Sequence, residues 1–245
     1  MDPIILFYVL LFVVATLYAS VGHGGASGYL ALMAIYGVVP DTMKPTALLL
    51  NLFVSLTAFI QFYRGGHFSW KIFLPLAITS VPFAYLGGLV AIKAVVYKRI
   101  LGLFLIIPIV RFLFFRNVQV NEMKESKTWI SVLLGSGIGY LSGLIGIGGG
   151  ILLSPILLML KWTNQKQAAA ISALFIFVNS LAGLAGQMTK GIQFTQHMIG
   201  YVVVAFAGGL LGAYLGALKF NQQVLKYALA FVLAMASYKL LFTTA

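Results

Sequence analysis

Charged side chains are scarce in this sequence: only 8% of its 245 residues are charged, while 61% are hydrophobic and the mean hydropathy is +1.02. A soluble domain cannot carry that much apolar side-chain area on its surface. Because a spanning helix needs about 20 apolar residues, the chain has room for roughly eight to ten membrane elements and little else. The composition therefore predicts an all-α polytopic membrane protein in the lipid bilayer.

Carboxylates are the rarest charged groups. Asp2, Asp41, Glu122 and Glu125 are the four acidic residues, and all of them fall at the chain start or in predicted loops. Sodium and proton sites inside membranes usually recruit Asp or Glu. The sequence therefore argues against a transporter of cations.

Cysteine is absent, which excludes disulfides, thiolate metal sites and thiol chemistry. The three histidines, His23, His67 and His197, fall in different segments without the spacing of metal ligands. No nucleotide-binding motif occurs, so ATP is not expected to be the direct energy source. We expect no metal and no cofactor, and an intramembrane enzyme is the least favoured alternative because it would need a nucleophile with a base or a metal cluster.

Basic residues outnumber acidic ones, and the net charge is +12. The Lys and Arg residues lie singly or in small groups between apolar runs, a pattern typical of the positive-inside rule and not of a nucleic-acid surface. The first run, Ile4 to Gly22, follows Asp2 with no basic segment before it. It is predicted to be a retained helix and not a signal peptide.

The hydrophobic runs form two sets of five that match in order and in length, each with a short second member of about twelve residues. The sets lie in residues 1–115 and 129–245, and a polar connecting loop at 116–128 separates these two predicted membrane repeats. The runs are Ile4–Gly22, Gly28–Val39, Pro45–Phe62, Ile72–Ile92 and Ile100–Phe115, then Trp129–Ile145, Ile151–Trp162, Ala168–Met188, His197–Leu218 and Val224–Phe242.

Sequence identities between the two sets indicate an internal duplication. Gly22-His23-Gly24-Gly25-Ala26 aligns with Gly146-Ile147-Gly148-Gly149-Gly150, and Ser55 aligns with Ser180. Since each set holds an odd number of elements, the second must enter the membrane from the opposite side. The sequence thus predicts two inverted five-element repeats with helices broken at glycine-rich motifs, an architecture of many secondary transporters.

The paired glycine clusters precede the short second element of each repeat. Glycine permits backbone angles closed to other residues, and unpaired amides at a helix start form a site of positive potential. The alternative is that these glycines only allow close helix packing, as we expect for Gly208-x-x-x-Gly212-x-x-x-Gly216. Their duplication at matching breaks favours an anion site.

Polar residues inside the apolar runs add to the candidate site, because such groups are costly in a membrane unless they are paired. For each Ser or Thr the alternative is a hydroxyl bonded to its own helix, and for His23 it is a structural role. The predicted substrate-binding residues are Gly22, His23, Gly24, Gly25, Ser27, Asn51, Ser55, Gly146, Gly148, Gly149, Gly150, Asn179 and Ser180.

The run from Ser142 to Gly150, Ser-Gly-Leu-Ile-Gly-Ile-Gly-Gly-Gly, followed by Pro155, resembles the signature of the TauE/SafE family of sulfite exporters. Gly22-His23-Gly24-Gly25 is a weaker copy of it, and the resemblance covers nearly the whole chain. It implies a permease of the bacterial inner membrane for sulfite and related sulfonates, with the glycine motifs at the site.

Together these observations predict a secondary transporter that moves a small sulfur-containing oxyanion by alternating access, with an anion channel through the same constriction as the alternative. If protons are coupled to transport, His23 is the main titratable candidate in the membrane interior. We favour instead a proton carried by the substrate, since the resemblance implies sulfite, which titrates near neutral pH.

The odd element count generates a prediction of topology. The loop side is expected to hold Arg64, Lys71, Arg116, Lys124, Lys127, Lys161, Lys166, Lys219 and Lys226, and the opposite side Lys44, Lys93, Lys98, Arg99, Lys190 and Lys239. By the positive-inside rule the loop is cytoplasmic and both termini are periplasmic. Reporter fusions at Lys124 and Ala245 should therefore report opposite sides, and a shared side would contradict the inverted arrangement.

Overall fold

A computed structural model describes residues 3–20, 24–114, 123–192, 196–216 and 222–242, and these residues form ten helices and no strand. The prediction of an all-α polytopic membrane protein is confirmed. The helices are α1 Pro3–Ser20, α2 Ala26–Ile35, α3 Pro40–Arg64, α4 Trp70–Leu89, α5 Ala94–Phe114, α6 Thr128–Ile145, α7 Gly150–Met159, α8 Gln165–Met188, α9 Gln196–Gly216 and α10 Gln222–Phe242.

Within the described ranges, four helices are long and apolar enough to cross a membrane: α3, α4, α6 and α8. The short helices α2 and α7 have ten residues each, about 15 Å at the rise of an α-helix, so neither crosses the bilayer alone. Nine residues of α2, from Ala26 to Ala34, are buried. Burial inside the bundle is what a broken helix needs in a membrane, because its free backbone groups must be kept from lipid.

Several helices extend beyond the hydrophobic runs that predicted them. Helix α3 begins at Pro40, five residues before the predicted Pro45, with a proline in the first turn, where its missing N–H is not needed. Helix α8 begins at Gln165 because Asn164 and Gln167 form a capping box. Hydropathy detects only the apolar part of a helix, whereas backbone hydrogen bonding continues into its polar ends.

Matched helices of the two halves have nearly the same length: 18 and 18 residues for α1 and α6, 10 and 10 for α2 and α7, 25 and 24 for α3 and α8, 20 and 21 for α4 and α9, and 21 and 21 for α5 and α10. Their contacts correspond as well. Helix α6 packs on α4 as α1 packs on α9, and α8 packs on α4 as α3 packs on α9. Helices α3 and α8 contact each other at the join of the halves.

Glycine stripes make the closest of these contacts possible. A Cβ added to Gly143 would overlap the backbone oxygen of Ala84, and one added to Gly139 would overlap that of Ser80. At the corresponding contact of α9 with α1, Gly212 lies in the same way against the Thr16 carbonyl. Close approach of helix backbones through small residues stabilises membrane bundles.

The packing role predicted for the Gly208-x-x-x-Gly212-x-x-x-Gly216 run is confirmed for its first two glycines. A Cβ on Gly208 would lie 2.6 Å from the Phe12 carbonyl oxygen, and Gly212 faces Thr16. The surroundings of Gly216 lie outside the described residues.

Two glycines of α6 generate a paired stability prediction. Gly143→Ala should lower stability by about 1–3 kcal/mol, because the methyl group must push α4 away. Gly137→Ala should raise it by about 0.5–1 kcal/mol, since that position is exposed and its Cβ would meet nothing within 4 Å. Thermal unfolding in detergent measures both, and equal midpoints would contradict the glycine-mediated contact.

Candidate functional site

The second-half break lies between α6 and α7 and consists of four residues. Gly146 follows α6 as its C-cap with φ 90°, Gly148 has φ 72°, and Gly149 precedes α7 as its N-cap with φ 78°. Positive φ angles are strained for other residues, so this backbone path requires glycine at three of the four positions. The break therefore falls where the glycine cluster predicted it.

The first-half break lies between Ser20, the last residue of α1, and Ala26, the first of α2. Gly25 precedes α2 with φ 86°, matching Gly149 before α7. Gly22 and His23 lie outside the described residues, so their predicted roles stay predictions. Since glycine has no side chain to act as a cap, the first amides of both α2 and α7 receive no side-chain hydrogen bond at the N-cap.

Asn51 of α3 lies between the two breaks. A Cβ on Gly24 would be 3.1 Å from Asn51 Oδ1, and a Cβ on Gly148 would be 2.6 Å from Asn51 Nδ2. The same two glycines face Ile176 of α8, with Cγ2 at 2.9 Å and 2.8 Å from those positions. We call Gly24, Gly148, Asn51, Ile176 and Ser180 the central cluster.

The central cluster contains hydrogen-bonding capacity that the protein itself does not use. Asn51 is fully buried, and its Nδ2 donates a hydrogen bond of 3.3 Å to Ser180 Oγ. Asn51 Oδ1 has no partner among the described residues, and neither has the hydroxyl of Ser172, whose carbonyl oxygen lies 3.1 Å from a Cβ built on Gly150. Unpaired buried polar atoms are costly, which makes them markers of function.

Other predicted site residues bond elsewhere. Ser55 Oγ donates to the Asn51 carbonyl at 2.6 Å, and Asn179 Nδ2 donates to the Phe175 carbonyl at 2.8 Å. Both bonds run within one helix, which is the alternative considered for Ser and Thr. Asn179 Oδ1, like Asn51 Oδ1, is buried and has no partner among the described residues. Ser27 Oγ pairs with the Tyr18 hydroxyl at 2.8 Å.

Of the other predicted glycines, Gly150 lies against Ile176 of the central cluster, whereas Gly25, Gly146 and Gly149 face groups outside it. Gly25 lies against the ring of Tyr29, and Gly149 lies against Ile138 and Phe175. Gly146 lies against the backbone of Lys44, with the Lys44 Cα 3.2 Å from its Cβ position. These three glycines shape the breaks, whereas Gly24 and Gly148 border Asn51.

The sequence prediction missed Ile176 and Lys44. Ile176 follows Asn51 by 125 positions, the same separation as Ser55 and Ser180, so the repeat alignment could have identified it. Lys44 precedes Asn51 by seven residues, which places both on one face of α3. The sequence analysis used Lys44 only as one of the basic residues counted on one side of the membrane.

Comparisons with known proteins bear on the kind of protein that carries this site. The model of the family described as "Sulfite exporter TauE/SafE" matches residues 7–240. A probable membrane transporter protein of Sinorhizobium fredii is 35% identical over 234 residues, which cover 94% of this chain and 95% of that protein. No solved structure matches the chain significantly.

Two further relatives are more distant. A probable membrane transporter protein of Methanocaldococcus jannaschii is 30% identical over 80% of this chain and 76% of its own length. An Arabidopsis thaliana protein named sulfite exporter TauE/SafE family protein 2 is 29% identical over 44% of this chain and 22% of its own length. These names are of membrane transporters and not of enzymes, in agreement with the sequence prediction. On the family match and these relatives, the chain belongs to the sulfite exporter TauE/SafE family of multi-pass membrane transporters.

Proposed function

We propose that this protein is a secondary transporter of the bacterial inner membrane that exports or exchanges a small sulfur-containing oxyanion, such as sulfite or an organosulfonate. The observation that carries the proposal is the position of Asn51, fully buried between a glycine of each break, with its amide donor Nδ2 directed at the Ser180 hydroxyl across the join of the halves. A polar group of this kind inside a membrane protein marks a substrate path.

The anion is proposed to bind at the central cluster. Its oxygens accept hydrogen bonds from Asn51 Nδ2 and from the Ser180 hydroxyl, which bond to each other in the described state. The helix dipoles of α2 and α7, which begin at the two breaks, add positive potential there. Such donors suit a sulfite or sulfonate group, whose oxygens are acceptors only.

The two sides of the cluster differ in chemistry, which bears on the substrate. Asn51 presents an amide, whereas the matching position in the second half presents the alkyl side chain of Ile176. An organosulfonate, with a charged head and an apolar tail, matches this pair better than an anion that is polar on every side. Sulfite remains in the proposed class because one face of that pyramidal ion carries a lone pair and no oxygen.

Alternating access is proposed to arise from movement between inverted halves. The matched helix lengths and corresponding contacts support such halves. Two contacts at helix ends support the predicted sides of the membrane. Lys71, predicted on the side of the connecting loop, pairs with Glu125 of that loop at 3.1 Å. Lys190, predicted on the opposite side, donates from Nζ to the Gly88 carbonyl at 2.7 Å. Since Gly24 and Gly148 leave no room for an anion beside Asn51, α3 and α8 must separate from the breaks to admit one.

Counterflow in proteoliposomes tests the function. Protein reconstituted with trapped sulfite should accelerate uptake of labelled sulfite or sulfoacetate compared with vesicles that contain chloride, because exchange requires only the loaded carrier to change its access. Uptake that does not depend on trapped anion would indicate an anion channel instead. No flux in either case would contradict the proposal.

Alanine at Gly24 or Gly148 should reduce exchange about tenfold or more, because its methyl group would still lie beside Asn51 when α3 and α8 separate and would exclude the anion. Gly24 is the cleaner test, since its φ is not positive. Gly37→Ala is the matched control for Gly148→Ala: its φ is 74°, and a Cβ there meets nothing within 4 Å. Transport equal to wild type in Gly24→Ala protein that folds normally would remove the central cluster from the mechanism.

Substitutions at Asn51 separate hydrogen bonding from packing. Asn51→Leu keeps the branched shape of the side chain, removes the donor and should abolish exchange. Stability should change by only about 1 kcal/mol, because the lost bond to Ser180 Oγ is offset by removal of the unpaired Oδ1. Asn51→Asp should also abolish exchange, since a carboxylate repels the anion. Thr57→Val, which removes a hydroxyl bonded to the Phe53 carbonyl of the same helix, is the control. Active Asn51→Leu protein would contradict the role of the amide.

A further inference from the structure

Lys44 is the one charged side chain that is buried in the described part of the chain, with 8% of its surface exposed. Its ammonium lies over the ring of Tyr97, 4.4 Å from the centroid. It forms no salt bridge, and the single salt bridge among the described residues, Lys71–Glu125, is on the surface. A buried cation without a counter-charge is costly for a protein to maintain.

Two other lysines show what a structural role for a partly buried ammonium involves. Lys190 Nζ donates to the Gly88 carbonyl at 2.7 Å, and Lys239 Nζ donates to the Ile35 carbonyl at 2.6 Å, both near the ends of helices. Lys44 makes no such bond among the described residues. The last carbonyl of α6, Ile145, already accepts a hydrogen bond of 2.9 Å from the Tyr97 hydroxyl. Capping a helix therefore does not explain Lys44.

The charges around Lys44 leave an excess of positive potential. The charged groups that act on it are Lys190 and Asp41. Asp41 is exposed, lies one turn away on α3 and forms no salt bridge with Lys44. Lys190 is exposed as well, so two ammonium groups face one carboxylate, and the net positive charge favours an additional anion at this end of the bundle.

Lys44 is connected to the central cluster by two routes. It lies seven residues before Asn51, on the same face of α3 and about 10 Å away along the helix axis. The second-half break runs beside this face, since Gly146 contacts the backbone of Lys44 and Gly148 contacts the side chain of Asn51. The corresponding position in the second half is Ala169, which carries no charge, so this arrangement occurs on one side only.

We propose that Lys44 forms an outer anion site at the Gly146 end of the break, where an incoming sulfite or sulfonate group supplies the counter-charge that Lys44 lacks before it reaches Asn51. This proposal rests on the anion transport proposed above. Tyr97 holds the ammonium in place through its ring and contributes no competing charge.

The test is thermal unfolding of the purified full chain in neutral detergent, with sodium sulfite compared with sodium chloride at equal ionic strength. Sulfite should raise the unfolding temperature of the wild type, and Lys44→Met should lose that rise because it keeps the stem and removes the charge. Lys44→Arg should retain it. Without sulfite, Lys44→Met should unfold about 2–4 °C above the wild type, since an unpaired buried charge is gone.

Lys239→Met is the matched control, because it also removes a partly buried ammonium but one already bonded to the Ile35 carbonyl. It should unfold at a lower temperature and keep the response to sulfite. If Lys44→Met also keeps that response, or unfolds below the wild type without sulfite, the outer site is refuted and Lys44 is structural.

A parallel series of unfolding measurements uses short-chain phosphatidylglycerol in place of sulfite. If the protein responds to this lipid and not to sulfite, and the response depends on Lys44, the site binds a lipid phosphate and the proposal is overturned.

Transport kinetics keep this inference separate from the function on which it rests. In counterflow, Lys44→Gln should raise the KM for sulfite about tenfold or more with a smaller effect on the maximal rate, because an attractive charge acts mainly on capture. Unchanged KM in an active Lys44→Gln protein would overturn the Lys44 proposal alone. If the wild type neither exchanges sulfite nor responds to it thermally, the proposed function itself fails.

Discussion

The constraint on which this structure depends is the burial of broken backbone inside a membrane protein. Helix α6 ends at Gly146 and α7 begins only after Gly149, so backbone groups that a continuous helix would pair are left for other partners. In lipid that arrangement would be prohibitively costly. Helix α2 packs on α1, α3 and α10, and α7 packs on α5, α6 and α8, so protein surrounds both short helices. Under the proposed function, a polar substrate replaces the missing partners at the breaks.

The two halves are alike in helix length and packing but differ at the residues that matter most for a ligand. Asn51 and Ile176 occupy corresponding positions beside Gly24 and Gly148, one polar and one alkyl. The duplication predicted from the sequence accounts for the same backbone break occurring twice. Under the proposed function, divergence of the side chains lets the site at the join of the halves recognise a molecule that has two chemically different ends.

Positive charge in this family member is distributed in two ways. Most lysines and arginines lie at the ends of helices, where they meet water, carbonyls or, for Lys71, a carboxylate. Lys44 differs because it is buried against Tyr97 without a counter-ion. Under the proposed function, a cation in this position lowers the cost of bringing an anion out of water.

The sequence by itself determined the class of protein, the number of helices and the positions of the breaks, because these follow from hydropathy, helix length and the backbone freedom of glycine. It also identified Gly24, Gly148, Asn51 and Ser180 as candidates, since polar and glycine residues in apolar runs are conspicuous. Only the tertiary structure decided which candidates meet. Ser55 and Asn179 look equivalent to Asn51 in the sequence, yet both bond within their own helices, and Gly149 faces Phe175. Local sequence cannot specify which face of one helix lies against another, because that depends on packing between segments more than 100 residues apart, as for Asn51 and Ser180.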